Sequence, residues 1–267
     1  MTRSMLKALL WKEWRETRWK WLAFAFAFHI PLGIAGLVFW FKDTARFDLY
    51  AMSDAIAAGA LEVALVAQSA FLITAGLFLL AFFAVGSVGA ELDNRSIFFL
   101  FERPIKRGHL LLLKYAVGAV QTTTCVGLSI LTTITLTYLV AVAAASNVTL
   151  AGSLPAYAEV VSNGLRGSFW TMVIGLMVYS ATFLFSVLFE KWWIAVIAGA
   201  VSLVGMFYYF GGNLFDIIIS AATRSKDGDV DLSLYGRLDP VPIVIMLSVS
   251  AALYLASQYV FARKEMK

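Results

Sequence analysis

The sequence predicts an all-α, polytopic membrane protein with six transmembrane helices. Three observations lead there. Hydrophobic residues make up 61% of the chain and charged ones 14%, with a mean hydropathy of +0.81, whereas soluble domains carry roughly a quarter charged residues. Long charge-free runs recur, several of them enough to cross a hydrocarbon core of ~30 Å as helix. Basic residues also partition unevenly between the segments joining those runs. The pI of about 9.1 therefore reads as an orientation signal, and no nucleic-acid partner is expected. Cys125, the one cysteine, excludes an internal disulfide or a Cys-based metal site and reads as a small buried side chain.

Residues 1–20 are expected to form an amphipathic interfacial helix. Leu6, Leu10, Trp14, Thr17 and Trp21 recur at helical steps, and Lys and Arg cover much of the rest. Trp11, Trp14 and Arg15 suit the headgroup zone, where an amphipathic ring meets both of its environments. The first span is 21–41. His29 in it reads as a satisfied neutral side chain beside a kink at Pro31.

The second span is 63–90, longer as a helix than the membrane core is thick, so it should tilt or project. The third, 110–145, can contain a break. Lys114 near its start is expected to snorkel back to the surface. Its many threonines either line a path between helices or bond back to their own helix. The fourth and fifth spans, 167–189 and 192–212, are separated by a tight charged hairpin at Glu190 and Lys191. An outer segment, 213–240, follows. Its Asp227, Asp229 and Asp231 start like a calcium loop, but Leu232 and Leu238 break that pattern. The sixth span is 241–261. Fifteen of the 21 Lys and Arg residues fall on one set of connecting segments and six on the other. The richer side is assigned to the cytoplasm, with both termini on it.

The most informative stretch joins the second and third spans. Residues 91–108 carry charge of both signs around five large apolar residues, Ile97 to Phe101. As a helix, Glu91, Arg95, Phe98 and Glu102 fall on one line, and Glu91 can pair with Arg95. Pro104 ends that helix. The pattern fits a short amphipathic cytoplasmic helix, or equally a basic loop with incidental apolar residues.

Three sets of residues in this layout resemble the type-2 permease family of ATP-binding-cassette (ABC) exporters. They are Trp11-Lys12-Glu13-Trp14-Arg15-Glu16 at the start, Glu91 followed by Phe99-Leu100-Phe101-Glu102-Arg103-Pro104-Ile105-Lys106-Arg107, and Lys114 opening the third span. Asn94-Arg95-Ser96 depart from the small residues common there. The resemblance implies a permease of the cell (cytoplasmic or inner) membrane that pairs with a second permease copy or homologue and with cytoplasmic ABC ATPase subunits. It implies a coupling helix that docks on the ATPase through Glu91, Arg95, Glu102, Arg103, Pro104, Ile105, Lys106 and Arg107, with Glu190 and Lys191 as a second contact.

The chain has no G-x-x-x-x-G-K-[ST] motif and no Gly-Lys pair at all. No cofactor is expected on this chain; the partner ATPase would bind ATP and Mg. No catalytic residue and no metal ligand set is expected, since neither H-E-x-x-H nor a nucleophile elbow occurs. The competing classes are a secondary carrier or channel, distinguished by flux without an ATPase, and an ATPase-coupled sensor or scaffold that moves nothing.

Overall fold

Apolar runs free of proline build long helices here, and prolines mark where they start or stop. The computed structural model describes residues 3–30, 33, 68, 71, 76–93, 107–145, 157–189, 191–202, 204–205 and 240–263. Among these residues the fold is all-helical, without strands. The helices are α1 (Arg3–Ala27), α2 (Leu77–Asp93), α3 (Arg107–Ala145), α4 (Tyr157–Leu188), α5 (Trp192–Ser202) and α6 (Pro240–Arg263). α1 stops four residues ahead of Pro31, a residue type that disfavours helix just before it. α6 begins on Pro240, whose fixed φ suits a first helical position and whose missing N–H costs nothing there.

Three stretches are long and apolar enough to cross a membrane: Arg107–Leu136, Thr171–Leu188 and Ile243–Arg263. They match the third, fourth and sixth runs expected from sequence. α5 is apolar but shorter, and the run that contains it continues beyond the described residues. α3 holds unbroken to Ala145, so the break that the sequence allowed is absent. It contains no proline, and its threonines satisfy themselves locally: Thr123, Thr124, Thr132, Thr133 and Thr135 each donate to a carbonyl three or four residues back.

Side-chain neighbours give the helix directions. Phe24 meets Phe83 and Lys20 reaches the Gly86 carbonyl, so α1 and α2 run antiparallel. Gly118 and Gly127 of α3 face Tyr179 and Met172 of α4, also antiparallel. Gly89 of α2 abuts Ser186 of α4, and Gly199 of α5 abuts Thr182. Tyr115 and Gly108 of α3 meet Tyr254 and Gln258 of α6. The described helices therefore alternate in direction. The start of α3, the ends of α2, α4 and α6, and the α4–α5 hairpin gather at one end of the bundle, together with the N-terminal part of α1.

α4 lies at the centre, in contact with α2, α3 and α6. Its Tyr179 and Phe183 are fully buried and form an aromatic cluster with Tyr115. The α3–α4 crossing is close because Gly118 has no side chain: a Cβ there would overlap the Tyr179 hydroxyl and lie 2.7 Å from its Cζ. Gly118→Val is expected to cost about 1–3 kcal/mol by overpacking this crossing. Gly205→Val, at a position with open space around it, should cost well under half of that. Thermal unfolding of the two purified variants in the same detergent decides it.

Candidate functional site

The sequence reading divides an interfacial helix from a first span at residue 20. α1 runs straight through that point. Its buried line coincides with the predicted stripe only in part: Thr17 is buried and Trp21 half-buried. Leu6, Leu10 and Trp14 are exposed, while Leu9, Glu13, Thr17 and Phe28 are buried. The helix is rolled by about one residue, so that a carboxylate faces inward. Such a roll is unfavourable unless the charge is compensated where it lands.

The compensation comes from α3. Lys114 does not snorkel to the surface; it is 2% exposed. Its Nζ donates to Glu13 Oε1 of α1 at 2.7 Å and to Glu91 Oε1 of α2 at 2.7 Å. Both are short, charge-assisted bonds. One ammonium thus joins three helices at the end of the bundle where the N-terminus, the end of α2 and the start of α3 meet. Glu16 extends the cluster outward and pairs with Lys12 at 3.5 Å. Carboxylate oxygens of Glu13, Glu16 and Glu91 lie within 4.8 Å of one another, a spacing that could hold a metal ion. Lys114 already supplies a cation to two of those three groups. Glu13 stands ahead of the apolar part of α1, and burial pushes its carboxyl above the ordinary glutamate range while the Lys114 ammonium pulls it down.

Beyond the ion pairs, α1 and α3 run side by side in the same direction, joined by a seam of hydrogen bonds. Gln121 Nε2 donates to Thr17 Oγ1 at 2.7 Å, and the Thr17 hydroxyl donates to the Glu13 carbonyl at 2.7 Å. Trp21 Nε1 donates to the Gln121 carbonyl at 3.2 Å. Ser129 Oγ donates to the Phe28 carbonyl at 3.1 Å, and Gln68 Nε2 donates to the same carbonyl at 2.9 Å. A cavity of about 10 Å³, roughly the space of one water molecule, lies between the seam and the ion pairs, lined by Glu13, Thr17, Lys20, Lys114 and Gln121. His29 Nδ1 lies 2.6 Å from the Ala25 carbonyl, so this ring is satisfied by its own helix end. Cys125 is buried and free.

The residues singled out by sequence are distributed as follows. Trp11, Trp14 and Arg15 are exposed on α1. Glu91 stands in the last turn of α2 and is turned inward on Lys114, so a separate helix does not begin there. Its expected partner Arg95, with Glu102, Arg103, Pro104, Ile105 and Lys106, lies outside the described residues, as does Glu190. Arg107 opens α3, and Lys191 is exposed on the α4–α5 hairpin. The sequence reading missed the inward role of Glu13. Its signal is visible in retrospect, since Glu13 shares a helical line with Leu9, Thr17 and Phe28.

The segment between α2 and α3 is therefore clamped at its base, three residues before it starts by Glu91 and eight after it ends by Lys114. Lys114→Met would leave two carboxylates facing each other without their cation. It is expected to destabilise the folded chain by about 3–5 kcal/mol, the usual range for breaking a buried pair. Adding Glu13→Gln and Glu91→Gln to Lys114→Met should recover more than half of the loss. Unfolding midpoints of the single and triple variants measure both.

Comparison of the chain with protein-family models, with curated proteins and with solved structures finds no match.

Proposed function

We propose that this chain is the membrane subunit of an ABC exporter of the type-2 kind, driven by ATP hydrolysis on a separate cytoplasmic ATPase subunit. One observation carries the reading. Glu13 comes from the opening motif, 101 residues before Lys114, yet it meets Glu91 and Lys114, which bound the second motif, in one buried ion cluster. A pump whose ATPase pushes on the segment between α2 and α3 needs that segment's base tied to more than one helix. Glu91 and Lys114 tie it to α2 and α3, and Glu13 adds α1. The hydrogen-bonded seam then couples α1 and α3 over several turns, so that they respond as one body. Spread over three helices, a local push becomes a displacement of part of the bundle, because packed interiors shift between discrete arrangements and do not deform continuously.

In this reading the segment after α2 docks on the ATPase, with Arg95, Glu102, Arg103, Pro104, Ile105, Lys106 and Arg107 at the contact. Glu91 acts behind them as the internal anchor. Lys191 and Glu190 on the hairpin offer a second contact at the same end of the bundle. The permease works as a pair with a second copy or a homologue, in the cell membrane, with both termini cytoplasmic. ATP and Mg are handled by the ATPase.

The test is co-purification. The tagged chain, extracted in mild detergent from the membranes of its own cells, is expected to bring down an ATPase subunit and its hydrolytic activity. Reversing Arg95, Arg103 and Arg107 to Glu should lower the recovered ATPase by on the order of tenfold or more, as expected where close charge pairs are broken. Undiminished recovery with a folded permease would refute the docking assignment, and substrate flux with no ATPase present would refute the class.

A further inference from the structure

With Glu13 turned inward, the opposite side of α1 is left open, and it has an ordered composition. Trp11, Arg15, Arg18, Leu22 and Phe26 follow one another at steps of four, three, four and four, which is a single line along a helix. Trp19 and Ile30 flank it. All of them are exposed, Trp19 to 68% and Phe26 to 78%. The line is aromatic and basic as far as Trp19 and purely apolar from Leu22 onward. It spans ~22 Å from Trp11 to Phe26 at 1.5 Å per residue. An exposed surface that changes in this way follows the profile of one membrane leaflet from headgroup to acyl chain.

The basic half is also uncompensated. Of the acids near this line, Glu13 is buried on Lys114, and Glu16, which stands between the two arginines in sequence, is paired with Lys12. Arg15 and Arg18 form no ion pair among the described residues; Arg18 rests over the Trp19 ring at 5.6 Å. Two guanidiniums one turn apart, with indoles one turn before and beside them, present planar donors suited to phosphate oxygens. The apolar continuation below them requires a ligand that is itself apolar beyond its phosphate. A soluble anion meets only the first condition. An acidic protein surface would leave Leu22, Phe26 and Ile30 uncovered.

We infer that this line is a binding site for an anionic phospholipid, its phosphodiester held by Arg15 and Arg18 between Trp11 and Trp19 and its acyl chain lying along Leu22, Phe26 and Ile30. This site does not depend on the transport reading, since it uses the face of α1 opposite the ion cluster.

Native mass spectrometry of the full chain, in detergent with equimolar phosphatidylglycerol and phosphatidylcholine of matched acyl chains, tests it. The unaltered chain should retain phosphatidylglycerol preferentially, and the preference should fall as salt is raised. Arg15→Gln with Arg18→Gln should reduce it by about 30-fold, what two cations contribute at an anionic surface. Arg263→Gln, which removes an exposed cation on α6, should leave it unchanged. No preference in the unaltered chain, or a preference that survives the double substitution, overturns the site. Should the double variant fail to fold, a headgroup-photoreactive phosphatidylglycerol on the unaltered chain decides the question. Labelling within residues 11–19 supports the site, and labelling only elsewhere overturns it. A double variant that keeps its lipid but loses a co-purifying protein assigns the face to a protein partner instead, and also overturns it.

Discussion

The arrangement of this end of the bundle depends on burying one ammonium between two carboxylates. Lys114 at 2% exposure would be very costly alone, and so would Glu13 at 3%. Together with Glu91 they satisfy one another at 2.7 Å. That requirement rolls α1 so that Glu13 faces α3, and it holds the last turn of α2 against the first turns of α3. The roll in turn aligns Thr17 and Trp21 with Gln121, and Phe28 with Ser129, so the polar seam follows from the ion cluster. The face of α1 that remains outside is then the one carrying Trp11, Arg15, Arg18 and Trp19.

Buried ion pairs of this kind add little net stability compared with well-packed apolar residues, because desolvation offsets most of the attraction. What they supply is selectivity among packings. An apolar contact between α1 and α3 would tolerate a slip of one turn, whereas a slip here would strand a charge. The close crossing at Gly118 and Tyr179 acts in the same direction on the other side of α3.

Much of the secondary structure was legible in the sequence because it depends on local information. The extent of α3 follows from an unbroken apolar run, whereas α4 starts at Tyr157, ahead of the span expected from 167, and α1 stops at Ala27, inside the span expected over 21–41. The self-satisfying threonines of α3 were one of two readings left open, since a hydroxyl in a helix always has its own carbonyls within reach. The orientation of α1 was legible only in part, through Thr17 and Trp21. Its periodicity was read by counting apolar positions, which places Glu13 on a wet face; its partner lies 101 residues away. Lys114 failed for the same reason, since a lysine seven residues inside a helix can reach water or a carboxylate, and only the tertiary arrangement selects between them. The amphipathic line through Arg95 and Glu102 lies outside the described residues.

The ion cluster also has a consequence for biogenesis. A chain made from its N-terminus delivers Glu13 first and Glu91 next, and Lys114 only after both. Until α3 is in place, α1 and α2 carry two acidic side chains with no cation to receive them. The first pair of helices is therefore incomplete by itself, and arrival of the third closes the charge balance and locks the register in one event. Assembly of this end is ordered by synthesis, and a ribosome product ending before residue 114 lacks the cation that Glu13 and Glu91 share.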